Sequence, residues 1–438
     1  MNNQRLLSLD VFRGITIAGM ILVNNPGSWS TVYAPLLHAD WHGSTPTDWV
    51  FPFFLFIMGV AVPLALGRRV AQGHAPRQLM AKVFTRTLII FGLGLFLAAF
   101  PYFGWRDPQP AGLKIAHYTL LTLAMFAVFG RGILQQKRFQ EEKYVRRRKL
   151  LGYIALGIIA IMIALGFSYY DLSSLRIPGV LQRIALVYFF CSLIYLYVPS
   201  KIQYGLTAAL LLLYWGLMTL VPVPGYGVAS LEPEANLGAW FDRLLLGTEH
   251  LWSQSRTWDP EGLLSTLPAI GTGMLGIFAG NWLRADTSAY RKVNGLLVAG
   301  VLLIVLGQVW GMAFPINKKI WTSSYVLYTG GLAFLFLGIC YYLNDVLQWN
   351  TWSKPFAIFG VNALFVYVLS GLVAKLFYMI QLPQAGGDSI SLQSWLYQSV
   401  YLPVFSGKAA SLAWALSFVL LMFIPCWILF RKRIFIKV

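Results

Sequence analysis

Charge is scarce in this chain. Only 11% of its 438 residues are Asp, Glu, Lys or Arg, against roughly a quarter in ordinary soluble domains, which excludes a soluble globular class. Acidic residues are the scarcest, 16 against 34 Lys and Arg, while histidine occurs five times and cysteine three. Cys191, Cys340 and Cys426 stand far apart, each inside an apolar run. They form neither a disulfide framework nor a metal-ligand spacing and read as small buried hydrophobes. The chain also has no G-x-S-x-G, Walker or H-E-x-x-H signature, so the patterns of serine hydrolases, P-loop proteins and zinc peptidases are missing.

What the chain has in abundance is apolar sequence: 58% of its residues are hydrophobic and its mean hydropathy is +0.64. Runs of about 18–22 apolar residues, enough to cross a hydrocarbon core about 30 Å thick, recur along the whole length. The predicted fold is all-α, a polytopic transmembrane helical bundle forming a single domain over 1–438. Twelve spans are expected at about 9–28, 48–67, 86–105, 113–131, 150–169, 178–198, 204–222, 262–283, 293–314, 321–343, 356–380 and 410–430. The first run contains Arg13 and has no small-residue cleavage site behind it, which marks a retained helix and not a signal peptide. The glycines of GTGMLGIFAG at 271–280 predict close helix packing and not a phosphate loop. AAFPYFGW at 98–105 and LGFSYYDL at 165–172 look alike and bracket two apolar runs with a basic segment between them, as though a two-helix unit were inserted over about 103–170.

A net charge of +18 raises the question of nucleic acid. The cations sit between the apolar runs, where they fix topology and meet anionic lipid, so the bilayer is the expected partner and nucleic acid is not. Twenty-three Lys and Arg fall in one set of alternate loops and nine in the other. By the positive-inside rule the first set, with both termini, is cytoplasmic. The segment HADWHG at 38–43 and the loops at 173–183, 223–261 and 314–321 are then extracytoplasmic.

An ionisable side chain in a membrane segment costs at least a few kcal/mol, so each one requires a partner or a use. Asp10 and Arg13, spaced i, i+3 at the cytoplasmic start of the first span, can pair as an anchor; alternatively Arg13 and neighbouring basic residues such as Arg86 meet a ligand's phosphate. Asn24 and Asn25 precede Pro26-Gly27 at the other end of that span. They cap free carbonyls there, or they offer an amide donor to a developing oxyanion. His38 lies between Pro35 and Trp41 in a short loop that folds back over a helix mouth. With an ordinary pKa near 6.5, histidine is the natural general base at neutral pH. Asp48 either pairs with it or caps the second span, and His42 reads as a solvated side chain. Zinc is not expected, because Gly43 and the flanking prolines imply a loop and no third ligand stands at a recognised spacing. Arg176 and Arg183 flank the start of the sixth span, with Asp259 and Glu261 as their obvious partners. The alternative to an ion-pair network is that Arg183, Asp259 and Glu261, with Asn25 and Trp41, contact a substrate. Spacing gives no role to Asn362 or Lys375.

Six segments occur in order: LDVFRG at 9–14, LVNNPG at 22–27, HADWHGSTPTDWVFPFFLFIMG at 38–59, RIPGVLQR at 176–183, DPEGLLSTLP at 259–268 and FPINKKIWTSSYVL at 314–327. Together they resemble the catalytic membrane domain of the heparan-α-glucosaminide N-acetyltransferase family, especially its bacterial homologues. The resemblance implies that acetyl-CoA is taken from the cytoplasm as co-substrate and its acetyl group passed to a glucosamine-type amine across a bacterial inner membrane. The family histidine of H-A-x-W falls on His38, the asparagine of V-N on Asn24, the acid of D-P-E-G on Glu261 and the arginine of L-Q-R on Arg183. No counterpart of the family's large N-terminal lumenal domain is expected, which argues against a heparan-type polymer as substrate. The mechanism this implies has His38 removing the amine proton, Asn24 donating to the oxyanion, Asp48 orienting the imidazole, and a cytoplasmic basic rim holding the CoA phosphates. A homodimer is compatible with this reading. The alternatives are a secondary transporter of an amino sugar or related solute and an O-acyltransferase of an envelope glycan.

Overall fold

The computed structural model describes residues 6–100, 111–134, 139–169, 172–384 and 388–436. In chain order the helices are α1 (Leu7–Asn24), α2 (Pro46–Ala71), α3 (Pro76–Ala99), α4 (Ala111–Ile133), α5 (Glu142–Tyr169), α6 (Val180–Tyr197), α7 (Ser200–Leu220), α8 (Leu237–Leu246), α9 (Thr266–Arg284), α10 (Ala289–Gly311), α11 (Ser323–Tyr341), α12 (Lys354–Val361), α13 (Ala363–Met379), α14 (Leu392–Leu396) and α15 (Gly407–Arg431). One antiparallel pair, Gln381–Pro383 with Ser389–Ser391, completes the described elements. The protein is an all-α polytopic bundle. Each of the twelve expected runs carries a helix or, at 356–380, the pair α12–α13. Among the described residues nine helices are long and apolar enough to cross a membrane, or ten if that bent pair is one span.

α2 and α9 form the centre of the bundle, flanked by α1, α6, α7 and α11. Glycine makes the central contact possible. A Cβ on Gly59 would lie 2.0 Å from the Gly273 carbonyl oxygen, and one on Gly276 would lie 2.1 Å from that of Phe56. The glycines of 271–280 thus serve backbone-to-backbone packing, as the sequence implied. Pro52 and Pro63 lie inside α2, where packed neighbours make such helix breakers tolerable. Around this crossing the buried side chains are continuous, with Leu55, Phe56 and Val60 on α2 and Ala269, Met274 and Ile277 on α9.

The expected continuous span at 356–380 is broken. α12 and α13 meet at 83° about Asn362, whose amide donates to the Ile434 carbonyl at 3.1 Å and whose oxygen accepts from the Ile436 N–H at 2.8 Å. The tail after α15 is therefore stitched to the side chain at the bend, while the Asn362 backbone bonds within α12 and α13, to the Phe359 carbonyl and from the Val366 N–H. Lys375 also gains a role: its ammonium donates to the carbonyls of Leu97 and Phe100 at the end of α3, where a cation complements the helix terminus. α4 and α5 pack mainly on each other, with the Phe129 ring of α4 edge-on to Phe365 of α13 at 5.2 Å. Of the two similar segments around this hairpin, residues 101–105 and 170–171 lie outside the described residues.

Gly276→Val is expected to destabilise the protein by at least about 1–3 kcal/mol through overpacking against α2. Gly92→Val, where an added Cβ meets nothing within 4 Å, should stay within about 0.5 kcal/mol of wild type. Thermal midpoints of the detergent-solubilised variants decide this, and equal midpoints would show that the crossing has room to spare.

Candidate functional site

The second span begins with Thr45 as its N-cap and Pro46 in the first turn. Asp48, in that turn, turns its carboxylate back over the cap. Its Oδ2 accepts from the backbone N–H groups of Thr45 at 2.9 Å and Ala39 at 3.1 Å and lies 3.1 Å from the Thr45 hydroxyl. Its Oδ1 lies 2.6 Å from His38 Nδ1. A carboxylate with so many donors is the ionised form, so the imidazole proton sits on Nδ1 and Nε2 is the acceptor, 3.2 Å from the Lys318 ammonium. Asp48 is only 1% exposed, whereas the His38 side chain is 40% exposed. A fixed, buried acid thus holds an accessible imidazole in one tautomer.

A second loop closes on this pair. Residues 314–322 dock against 40–43 through the Gly43 N–H, which donates to the Ile316 carbonyl at 2.7 Å, and through the Lys319 ammonium on the Asp40 carbonyl. The Asn317 oxygen accepts from the N–H groups of Lys319 and Ile320, and its amide nitrogen lies 3.3 Å from His42 Nδ1. His42 therefore helps to close the loop and is not merely solvated. At the turn, Trp321 is fully buried with φ 53°, strained for a bulky residue. It is held by the Thr272 hydroxyl at 3.2 Å and by edge contacts with Phe51 and Tyr325. This loop delivers Lys318, with its Nζ 3.0 and 3.2 Å from the two His38 nitrogens and 3.7 Å from Asp48 Oδ1. Burial pushes the Lys318 ammonium below its usual value, and the charges of Asp48 and Glu261 oppose that shift.

Beside this cluster lies a network of acids and guanidinium groups. Arg176 binds Asp259 through two bonds of 2.8 and 2.7 Å and Glu261 through one of 2.6 Å. Burial weighs against the Arg176 charge, but the two carboxylates more than offset it and hold its pKa above the usual value. Arg183, expected to share those acids, bonds instead to the Gly262 carbonyl at 2.6 Å and the Ser265 hydroxyl at 2.5 Å and lies over the Trp321 ring. It is 1% exposed, so it braces the 259–265 turn from beneath. Asp242 of α8 accepts from the Leu263 N–H at 2.8 Å. Burial, with the Asp259 charge adding to it, pushes the Asp242 carboxyl up to about 7 against the pull of that N–H.

The remaining expected residues are dispersed. The Trp41 indole N–H donates to Leu231 at 2.9 Å, and its ring meets Trp258 edge-on at 5.1 Å, with Lys319 over both rings. Asn25 caps the Ile21 carbonyl at 2.7 Å. Asn24 lines a small cavity with Pro26, Trp29, Phe377, Tyr378 and Gln393, none of which belongs to the His38 cluster. Tyr378 also lines a cleft of about 850 Å³ bounded by Arg176, Gln182, Trp252, Tyr367 and Lys375. Arg13 pairs with Asp10 at 3.2 Å and reaches the Gly360 carbonyl at 3.4 Å, and Arg86 lies over the Tyr188 ring. Among the described residues no group of three His, Cys, Asp or Glu side chains is placed to hold a metal ion.

Sequence reasoning missed Lys318 and Asp242. Lys318 had a signal, since FPINKKIW is a polar segment between apolar runs with two adjacent lysines, but neither lysine stands out there by spacing. Asp242 had none, because α8 reads as part of a long loop.

A domain of unknown function (DUF5009) matches residues 5–216. Human heparan-alpha-glucosaminide N-acetyltransferase is 26% identical over 414 aligned residues, covering 83% of this chain and 52% of its own length. The mouse protein of the same name is 27% identical, covering 83% and 53% respectively. The chain spans about half the length of these relatives. The resemblance read from the six ordered segments thus holds over most of the chain.

The buried Asp242 yields a pH dependence. Its carboxyl titrates near 7 in the folded protein and near 4 when unfolded, so the folded state keeps the proton across that window. Its contribution to stability is complete below about pH 4 and declines as the pH rises to about 7, by at most about 1.4 kcal/mol per unit. Asp242→Asn retains the oxygen for Leu263 and removes the slope. Thermal midpoints of wild type should fall relative to Asp242→Asn between about pH 4 and 7, and parallel curves would rule the assignment out.

Proposed function

We propose that this protein is a transmembrane N-acetyltransferase that moves an acetyl group from cytoplasmic acetyl-CoA to the amine of a glucosamine-type sugar at the outer face of a bacterial inner membrane. The kinship with enzymes named for that chemistry supports the reaction class. The observation that carries the reading is the His38–Asp48 pair, an accessible imidazole with Nδ1 held by a buried carboxylate and Nε2 on the side of the Lys318 ammonium, where it serves as a base once the amine takes that position. Attack on a thioester requires a neutral amine and removal of its proton as the C–N bond forms. His38 removes that proton, and Asp48 fixes the ring and stabilises the imidazolium.

Other residues follow from their positions. Asn24, which lines the small cavity beyond the end of α1, is assigned to the acyl carbonyl on the strength of the resemblance. Asn25 supports it by closing the end of α1. Trp41, paired edge-on with Trp258, offers an apolar face to a sugar ring. Asp259 and Glu261, held by Arg176, are assigned to the support of the sugar-binding side of the site. At the opposite end Arg13, with Arg86, is assigned to the CoA phosphates. The 83° break between α12 and α13 favours a second reading, a secondary transporter, because broken helices build solute sites in such proteins.

Purified protein in nanodiscs, given labelled acetyl-CoA and glucosamine, separates the two. Transfer to the amine is expected, with His38→Ala lowering kcat about 10²–10⁴-fold and Asp48→Asn about 10²-fold or more by loss of the tautomer. His38→Ala acetylating at the wild-type rate would remove the mechanism, and solute uptake without acetyl-CoA consumption would favour the transporter.

A further inference from the structure

We propose that Lys318 is a catalytic residue whose ammonium donates to the oxygen of the acyl group as it becomes an oxyanion. The assignment rests on the acetyltransferase reading above and adds a donor on the side of the site where His38 lies. Three observations lead to it. Lys318 Nζ lies within hydrogen-bonding distance of both His38 nitrogens, 3.0 Å from Nδ1 and 3.2 Å from Nε2. The attacking amine must hydrogen-bond to Nε2, and the acyl oxygen is two bonds from that amine nitrogen once C–N bonding begins. A cation about 3 Å from Nε2 is therefore within reach of the developing negative charge. Asn24, by contrast, lines a cavity with residues of α13, α14 and α15.

Second, the lysine is built in. Its side chain is 17% exposed, and it stands between Asn317 and Trp321, which tie its loop to His42 and to Thr272. A solvated surface lysine would need none of this. Third, Lys318 is paired with Asp48 only at 3.7 Å, a longer contact than the donors Asp48 already has in His38, Thr45 and Ala39. A partly desolvated ammonium held beside a neutral base is placed for charge that appears only during reaction.

The step balances as follows. The amine lone pair forms the C–N bond, and the carbonyl π electrons move to oxygen, where Lys318 donates a hydrogen bond without giving up its proton. His38 Nε2 takes the amine proton. As the tetrahedral intermediate collapses, the C–S bond breaks with its electron pair on sulfur, and the imidazolium returns the proton to the thiolate. The products are the N-acetyl sugar and CoA thiol, with both side chains restored.

Full-length protein in nanodiscs with acetyl-CoA and glucosamine provides the test. Lys318→Met should lower kcat about 10²–10³-fold with KM values held within about threefold. Lys318→Cys should be equally impaired, and 2-bromoethylamine, which rebuilds an ammonium on the new thiol, should return at least about a tenth of the wild-type rate. Cys191, Cys340 and Cys426 are buried, so alkylation is directed to position 318, and wild type treated in the same way is the control. Iodoacetamide, which adds a neutral group, should restore nothing. Equal rescue by both reagents, or Lys318→Met at the wild-type rate, overturns the role of Lys318 and leaves the acetyltransferase reading intact. Wild type that transfers no acetyl group overturns that reading and this one together.

Discussion

A carboxylate withdrawn from water must find donors for its lone pairs, and Asp48 finds them in three places at once. Two are backbone N–H groups of the preceding loop and one is the His38 ring. A single side chain thereby starts α2, closes the 38–45 loop and aims an imidazole. The arrangement is cooperative, because loss of any donor leaves a buried charge that the others must satisfy. The 314–322 loop then docks on this platform and brings a cation to it. Local capping chemistry and site chemistry are here the same interaction.

That precision at the His38 site depends on a scaffold that does not yield. The centre of the bundle is made by backbone contact, α2 on α9 through Gly59, Gly273 and Gly276 and α1 on α12 through Gly14 and Gly360, where added Cβ atoms would lie 1.7 and 1.8 Å from carbonyl oxygens. Contacts this close leave no side chain to shift, so the helices that carry Asp48 and the 259–265 turn are held in one relative position. The proposed reaction, which must align an amine, a base and an acyl carbonyl, would benefit from such stiffness more than from affinity.

Much of this was legible in the sequence because it rests on composition and local pattern. Apolar runs pointed to the helices, the glycines of 271–280 to close helix packing, and Asp48 at the start of the second span to a cap or a partner for His38, two roles that the structure combines. The misses have a common physical origin in long-range pairing. Nothing near Arg183 shows that Arg176 takes both acids while Arg183 finds a backbone carbonyl. Nothing near position 318 shows that its loop pairs with residues some 275 positions earlier, as Asn317 and His42 do. The break at Asn362 was hidden for the same reason, since the groups that bind its side chain come from the tail.

α13 is pinned at both ends. At one end Asn362 clasps the tail at Ile434 and Ile436, and toward the other Lys375 grips the last carbonyls of α3. Between those points the helix contributes Tyr367 to the wall of the large cleft. The wall of the cleft is thereby tied to the tail and to the end of α3, so parts of the chain far apart in sequence fix its position together.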